Sequence, residues 1–239
     1  VKNISIIIPV INEAEALRAN LPLLQSWRGR GHEVIVVDGG SQDDSLSACH
    51  GLVDHFLISA AGRARQMNAG AAVAKGDLLL FLHVDTVLPD MSAESLLHRM
   101  SGSRSYHWGR FDVRLSGSHL AFRVIESMMN LRSRFSGVAT GDQAIFVRRT
   151  TFDNAGAYAD LPLMEDVQLS KTLLTLAGRP LCLRLRVHSS SRRWEKHGIV
   201  RTVCLMWWLR LAFVMGVAPE RLHAQYYGNK QTRNGRQIT

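Results

Sequence analysis

His83 and Asp85 stand one residue apart where the apolar run Asp77–Leu82 ends in FLHVDT. Alternate side chains of a strand share a face, so an imidazole and a carboxylate would point the same way from a buried strand end. Read alone, this HxD is as well explained by a capped loop with a solvated aspartate. Two other strand-like runs end in similar company: ISIIIPV continues into Asn12 and Glu13, and EVIVVD ends at Asp38, followed by GGS with Ser41. Open α/β sheets bind ligands outside the carboxyl ends of their strands, so these three ends would place hydrogen-bonding and acidic groups along one edge. An acid after the second strand can hold a ribose or a base edge through a charge-assisted hydrogen bond, or it can cap its own turn. The formal net charge of +9 favours anionic partners such as phosphates, nucleic acid or an acidic membrane surface. The arginines are spread as pairs (Arg63/Arg65, Arg132/Arg134, Arg148/Arg149, Arg192/Arg193), which suits several phosphate contacts or a solvated surface better than a nucleic-acid arm.

The elements that must hold these groups alternate through the first hundred residues. Strands are expected at Ile4–Val10, Glu33–Asp38, around HFLIS and at DLLLFL. Between them lie a helical pattern in EAEALRANLPLLQSW with Pro22 as a break, a turn entering a short helix in GGSQDDSLSACHG with Ser41 as a cap, and a helix rich in small residues in GRARQMNAGAAVAKG. Such alternation implies right-handed βαβ units and a parallel sheet. The second half is less regular. Tyr106–Leu115 alternates like an antiparallel edge strand, SHLAFRVIESMMNLRSRF is an amphipathic helix, and QAIFVRR and PLCLRLRV read as strands. Glu165–Ala177 reads as a helix ended by Gly178, with Glu165 and Asp166 in a first turn that favours acids. A nicotinamide-binding unit would need GxGxxG after its first strand; VINEAEA has no glycine there.

With 239 residues and 46% hydrophobic content the chain can bury a real core. Cys49, Cys182 and Cys204 form no CxxC pair, so reduced thiols and a cytoplasmic location are expected. The amino terminus runs directly into a strand, without a signal-peptide pattern. Val203–Val217 is too short to span a membrane and is interrupted by Arg210. Its apolar character leaves packing on its own domain, homodimerisation or peripheral docking at the inner face of a membrane.

Taken together, ISIIIPVINEAEAL, VIVVDGGSQDDS, GRARQMNAGAAVAKGD, GDQAIFVRR, LMEDVQLS and SSRRWEKHG resemble the family 2 glycosyltransferases of GT-A fold. Each motif is weak singly, but their order is specific and covers most of the chain. The wording of LHVDT, WGRFDVRL and PLMEDVQLS is most similar to the arsenosugar biosynthesis-type branch. The resemblance implies an α/β fold with a mostly parallel central sheet flanked by helices, antiparallel acceptor-side strands and a C-terminal helix. It also implies transfer of a sugar, with inversion, from a nucleotide-diphosphate donor (a UDP-sugar is expected) to an acceptor hydroxyl, assisted by Mg²⁺ or Mn²⁺. FLHVDT takes the place of the family's DXD motif, with Asp85 as direct metal ligand and His83 in place of the first aspartate. Pro9, Asn12, Glu13, Asp38, Ser41, Arg63 and Asn68 carry over as donor-binding positions, joined by His83, Asp85 and Arg193. Asp166 matches the general base, with Glu165 beside it in the catalytic pair. Gly141, Asp142, Gln143 and Trp194 fall where the acceptor is enclosed. His188 would be a further metal ligand, or else a surface histidine beside Arg184 and Arg186. Ser190 replaces the glutamine of the QxxRW motif of processive members, which points to transfer of a single sugar.

The expected organisation is one domain over residues 1–227, with a donor half (1–100) and an acceptor half (101–227), followed by a basic tail at 228–239. The acceptor is a small molecule, a lipid or a saccharide. Two other functions fit the same layout: a nucleotidyltransferase, although the first turn lacks a glycine-rich basic loop, and a nucleotide-sugar-binding protein with weakened catalysis, suggested by His83. Nucleic acid is not expected as a partner, because aromatic and basic residues do not interleave.

Overall fold

A computed structural model describes residues 2–89, 92–102 and 106–227, apart from the side chains of Ser92, Arg193 and His197. The basic tail at 228–239 lies outside the described residues. Strand β1 (Ile4–Val10) leads to α1 (Ala14–Asn20), a 3₁₀ turn (Leu21–Leu24) and α2 (Gln25–Arg28). The break at Pro22 is thus where the sequence places it, because proline has no N–H to continue the helix. Next come β2 (Glu33–Asp38), α3 (Ser45–Cys49), β3 (His55–Ile58), α4 (Arg63–Val73), β4 (Leu78–Phe81), β5 (Thr86–Val87) and α5 (Ser92–Ser101). The second half holds β6 (Trp108–Leu115), α6 (Leu120–Ser136), a 3₁₀ turn (Gly141–Gln143), β7 (Phe146–Arg148), α7 (Arg149–Asn154) and α8 (Glu165–Ala177). It ends with β8 (Leu181–Ser189), α9 (Arg192–His197), α10 (Ile199–Val214) and α11 (Pro219–Tyr227).

One sheet runs through both halves in the order β3-β2-β1-β4-β7-β6-β8-β5. The first four strands are parallel, β7 is antiparallel to β4 and β6, β8 runs parallel to β6, and β5 closes antiparallel to β8. Alternation along β1 divides the core. Ile4, Ile6 and Ile8 pack with α1 and Trp27 on one face, and Ile7 packs with Ala64, Met67 and Ala71 of α4 on the other. Close approach of α4 depends on Gly70, since a Cβ there would press on Ile7 and Val37. A third cluster joins Leu163, Met164 and Val167 to Leu209, Ala212 and Leu222. It brings α10 and α11 over the start of α8.

Three expectations are corrected. Residues 106–115 are not an edge strand, because β6 lies between β7 and β8 and its polar Arg110 is fully buried. The strand in QAIFVRR is only Phe146–Arg148. Arg149 turns away into α7, donating to the carbonyls of Ala71 at 3.2 Å and Gly76 at 3.1 Å. Ser41 does not cap α3, which starts four residues later after Asp44. Its hydroxyl donates instead to Asp38 and accepts the Asn12 N–H at 2.7 Å.

Among the described residues no helix is long and apolar enough to cross a membrane. In α10 only Thr202, Leu209 and Ala212 are buried, so packing on its own domain leaves most of that helix uncovered. Trp207, Leu211 and Val214 are 58%, 55% and 68% exposed. A parallel stripe on α6, Val124, Met128, Leu131 and Phe135, is likewise exposed.

Candidate active site

The carboxyl ends of β1 and β4 face the Gly141–Gln143 turn, the start of α8 and the end of β8 across a cleft of about 380 Å³, roofed by α9, α10 and α11. Of the residues singled out by sequence, it is lined by Pro9, Glu13, Arg63, His83, Asp85, Gly141, Asp142, Glu165, Asp166 and Trp194.

His83 does not stand free at the end of β4. Its Nδ1 lies 3.4 Å from Asp142 Oδ1, and its Nε2 edge is packed against Gly141, where a Cβ would collide with the ring. The strand-end histidine is therefore locked to the turn opposite. That turn also fixes Asp166: the Gly141 N–H donates to its Oδ2 at 2.8 Å, and the Val167 N–H donates to its Oδ1 at 2.7 Å. Helix α8 opens from Met164, whose φ of 69° is left-handed and unusual for a residue with a side chain. Such strain is held where surrounding structure over-determines it, as in active sites. Here it turns Glu165 and Asp166 into the cleft.

Charged groups enter the cleft from the strand ends and from the start of α8, with Arg63 close enough to act on both Glu13 and Glu165. On the strand-end side, burial raises Glu13, and the nearby Asp85 carboxylate raises it further, against the pull of Arg192. Arg63 is accessible from the cleft. Burial by its walls pulls the guanidinium down, but Tyr227, Glu165, Tyr226 and Asp142 favour the charged form and hold it above its ordinary range. At the start of α8, burial and then the Asp166 charge push Glu165 up to about 7, against the pull of Arg63. Burial would raise Asp142, but the hydrogen bond and charge of His83, with Arg63 and Arg210, hold it below the ordinary carboxylate range.

Several predicted site residues sit behind the cleft. Asn12 Oδ1 accepts the Gln42 N–H at 2.8 Å, and Asp38 accepts the Ser41 N–H at 3.0 Å, so Asn12, Asp38 and Ser41 knit the two strand-end loops together. Asn68 exchanges two hydrogen bonds with the backbone of Tyr158, at 2.8 and 3.0 Å. Gln143 is fully buried and holds the Thr140 N–H at 3.3 Å. His188 is exposed on β8, on the opposite face from Val187 and Ser189. Strand alternation turns it away from the cleft that Ser189 lines, so the structure does not bring it to Asp85. Arg193 lies in α9, with its side chain outside those described. Sequence reasoning missed Gln66, whose Nε2 donates to the carbonyls of Val10 at 2.7 Å and Val37 at 2.8 Å and so fixes two strand ends beside the cleft. It also missed Met164 and Arg210. A polar residue within the small-residue run of α4 was the available signal for Gln66; none marked Met164.

Among the described residues no three His, Cys, Asp or Glu side chains form a cluster fit to hold a metal. The donor chemistry still suits a hard cation that keeps phosphate oxygens in its shell. Mg²⁺ binds through one or two carboxylates plus substrate phosphates, and Asp85 and Glu13 face each other closely enough to raise Glu13.

The family model "Glycosyl transferase family 2" matches residues 5–157. An uncharacterized glycosyltransferase of Mycobacterium tuberculosis, Rv1514c, is 38% identical over 85 residues, 34% of this chain and 32% of that protein. The chain thus spans about a third of the length of the relatives it matches in sequence. The structure is similar to residues 1–349 of S. aureus TarS in complex with UDP-GlcNAc, with a TM-score of 0.62 and 16% identity over 79% of this chain and 58% of that one. It is also similar to the mannosyltransferase PcManGT of Pyrobaculum calidifontis in complex with GDP-Man and Mn²⁺, with a TM-score of 0.65 and 16% identity over 94% and 69%. These likenesses show the GT-A fold, with its mostly parallel sheet flanked by helices. Since the family match covers most of the chain and includes the strand ends that build the cleft, the protein is a member of glycosyl transferase family 2.

Proposed function

We propose that this glycosyltransferase moves one sugar from a nucleoside-diphosphate donor to an acceptor hydroxyl with inversion, within one catalytic unit spanning residues 1–227. The observation that carries the reading is the gathering in one cleft of cationic groups fit for phosphates and of a carboxylate pair. Arg63, Arg192 and Asp85 line it together with Glu165 and Asp166 at the start of α8. The acceptor oxygen attacks the anomeric carbon as its bond to the diphosphate oxygen breaks, and the electron pair leaves with the nucleotide. The acceptor proton passes to Asp166. Two backbone N–H groups aim that carboxylate while leaving it lone pairs to accept a proton. Glu165, pushed up to about 7 by burial and by Asp166, is largely protonated at slightly acid pH, which spares the pair a second buried charge. Arg63 and Arg192 meet the charge that develops on the diphosphate. A divalent cation, held by Asp85 and the donor's phosphates with Glu13 close by, would supply Lewis-acid stabilisation of the same leaving group.

The nucleotide is open between uridine and guanosine, because the similar structures hold UDP-GlcNAc and GDP-Man. Likeness to the arsenosugar biosynthesis-type branch rests on motif wording and names no substrate. Thermal unfolding with UDP, GDP, dTDP or CDP, each with Mn²⁺ or Mg²⁺, tests the donor side. A nucleotide at a hundred times its Kd should stabilise the protein by about 2.7 kcal/mol, and a flat response to all four would overturn the reading. Asp166→Asn should keep that stabilisation while turnover falls roughly 10²–10⁴-fold. Unchanged turnover would remove Asp166 as the base.

A further inference from the structure

Arg132 on α6 and Arg210 on α10 meet beside the cleft with hydrogen-bond capacity unspent. Arg132 Nε and Nη2 and Arg210 Nε are buried and have no hydrogen-bond partner among the described residues. Burial and then the neighbouring Arg210 charge push Arg132 down to about 10, and burial lowers Arg210 as well. Stripping water from a guanidinium without giving it a partner is costly. Asp166 and Asp142 offset part of the two charges but accept no hydrogen bond from these nitrogens. Buried polar groups are otherwise almost always satisfied, so the pair keeps donors for a further anion.

The floor of an apolar groove of about 60 Å³ is formed by this pair, between Met129 on α6 and Val203, Met206 and Trp207 on α10. The groove is too small for a partner's helix and suits a single chain. At its inner end it reaches Asp142 and Trp194, which also line the cleft. At its outer end it opens between the exposed apolar stripes of α6 and α10. Arg63 and Arg192, the cations proposed for the donor's phosphates, line the cleft but not this groove.

We infer that the acceptor is an amphiphile whose phosphate sits on Arg132 and Arg210 and whose apolar chain lies in the groove between α6 and α10. This rests on the reading of the cleft as a sugar-transfer site, and it specifies the acceptor that site takes. Held by its phosphate, the head group presents a neighbouring hydroxyl to Asp166, and the chain leaves toward the exposed face. A second copy of this chain covering the same face is the competing occupant.

Calorimetric titration of the full chain with octyl phosphate, inorganic phosphate and octanol, alongside light scattering, tests the inference. Octyl phosphate should bind about tenfold or more tightly than either half of itself, and Arg132→Met and Arg210→Met should each remove at least about tenfold of that affinity, as expected for a charged hydrogen bond. Both variants should unfold at or above the wild-type temperature, since each removes buried guanidinium nitrogens that lack hydrogen bonds and relieves the repulsion between the two arginines; this separates lost binding from lost folding. Should either fail to fold, Trp207→Ser at the exposed rim should still weaken octyl phosphate and leave inorganic phosphate unchanged. Equal binding of inorganic phosphate would reduce the site to a small-anion pocket, and equal binding of octanol would reduce it to an apolar groove. Unchanged affinity in both methionine variants, or a dimer that excludes octyl phosphate, would equally overturn the inference. Nucleotide titration of the wild type keeps the two readings apart. Octyl phosphate binding without any nucleotide diphosphate binding would sink sugar transfer and the acceptor role with it. Nucleotide binding without octyl phosphate binding would sink this inference alone.

Discussion

Two adjacent carboxylates at the start of α8 are given different work by their surroundings. Asp166 is partly buried and tied by backbone N–H groups, whereas Glu165 is 5% exposed and is pushed up to about 7. Below the ordinary carboxylate range Glu165 is protonated in the folded and unfolded chains alike. Between that range and about 7 the unfolded chain has lost a proton that the folded chain keeps, so stability falls as pH rises, and above about 7 the loss is complete. Glu165→Gln abolishes this dependence. Relative to wild type it should gain up to about 3 kcal/mol in urea unfolding at about pH 8 compared with about pH 4. A difference that does not change with pH would show that Glu165 is not desolvated as described. The EDV wording marks the pair in the sequence. That Glu165 keeps its proton depends on its burial and on the neighbouring Asp166 charge, against the pull of Arg63 a hundred residues upstream, so no local pattern carries it.

At the level of elements, β6 shows where pattern reading fails. WGRFDVRL alternates polar and apolar residues, which in isolation means one face in water. Instead Arg110 lies fully buried against α6, donating to Ser133 Oγ at 3.0 Å, to the Asn130 carbonyl at 2.9 Å and to Asp112. The second Asp112 oxygen accepts from Arg134 at 2.6 Å. The polar face is satisfied by another element rather than by solvent, and both cases have the same period. Asp112→Ala leaves the Arg110 guanidinium buried with its charge unpaired. It should cost roughly 3–5 kcal/mol, read as a lower urea midpoint, with part recovered by also replacing Arg110 with Met. A loss below about 1 kcal/mol, the ordinary worth of a surface ion pair, would place the pair in water.

Across the whole molecule, the cleft opens beside the exposed apolar stripes of α6 and α10, and the chain carries a net charge of +9. An interfacial helix buries apolar side chains at the lipid boundary and is drawn there by anionic head groups. The full chain should therefore float with vesicles of phosphatidylcholine mixed with phosphatidic acid more than with phosphatidylcholine alone, and less as salt rises. Replacing Trp207 and Trp208 together with serine should abolish flotation without changing nucleotide binding. A protein that ignores both kinds of vesicle and scatters as a dimer would assign the stripes to self-association.

The amino-acid sequence by itself determined what depends on near neighbours. The continuous apolar runs of β1, β2 and β4, the break at Pro22 and the span of α8 to Gly178 all follow from residues close together in the chain. So does the edge at which ligands bind, because parallel strands end on one side. Tertiary structure alone decided which polar residues face that edge. Asn68 is spent on Tyr158, Gln143 on Thr140, and His188 is turned outward, while Gln66, Met164 and Arg210 are brought in. The buried guanidinium nitrogens of Arg132 and Arg210 that lack hydrogen bonds were equally invisible, since both residues read as basic positions on amphipathic or apolar helices. The physical reason is the same throughout. Secondary structure answers to local sterics and hydrogen bonds, whereas desolvation and the identity of a polar group's partner are set by packing between residues far apart in the chain.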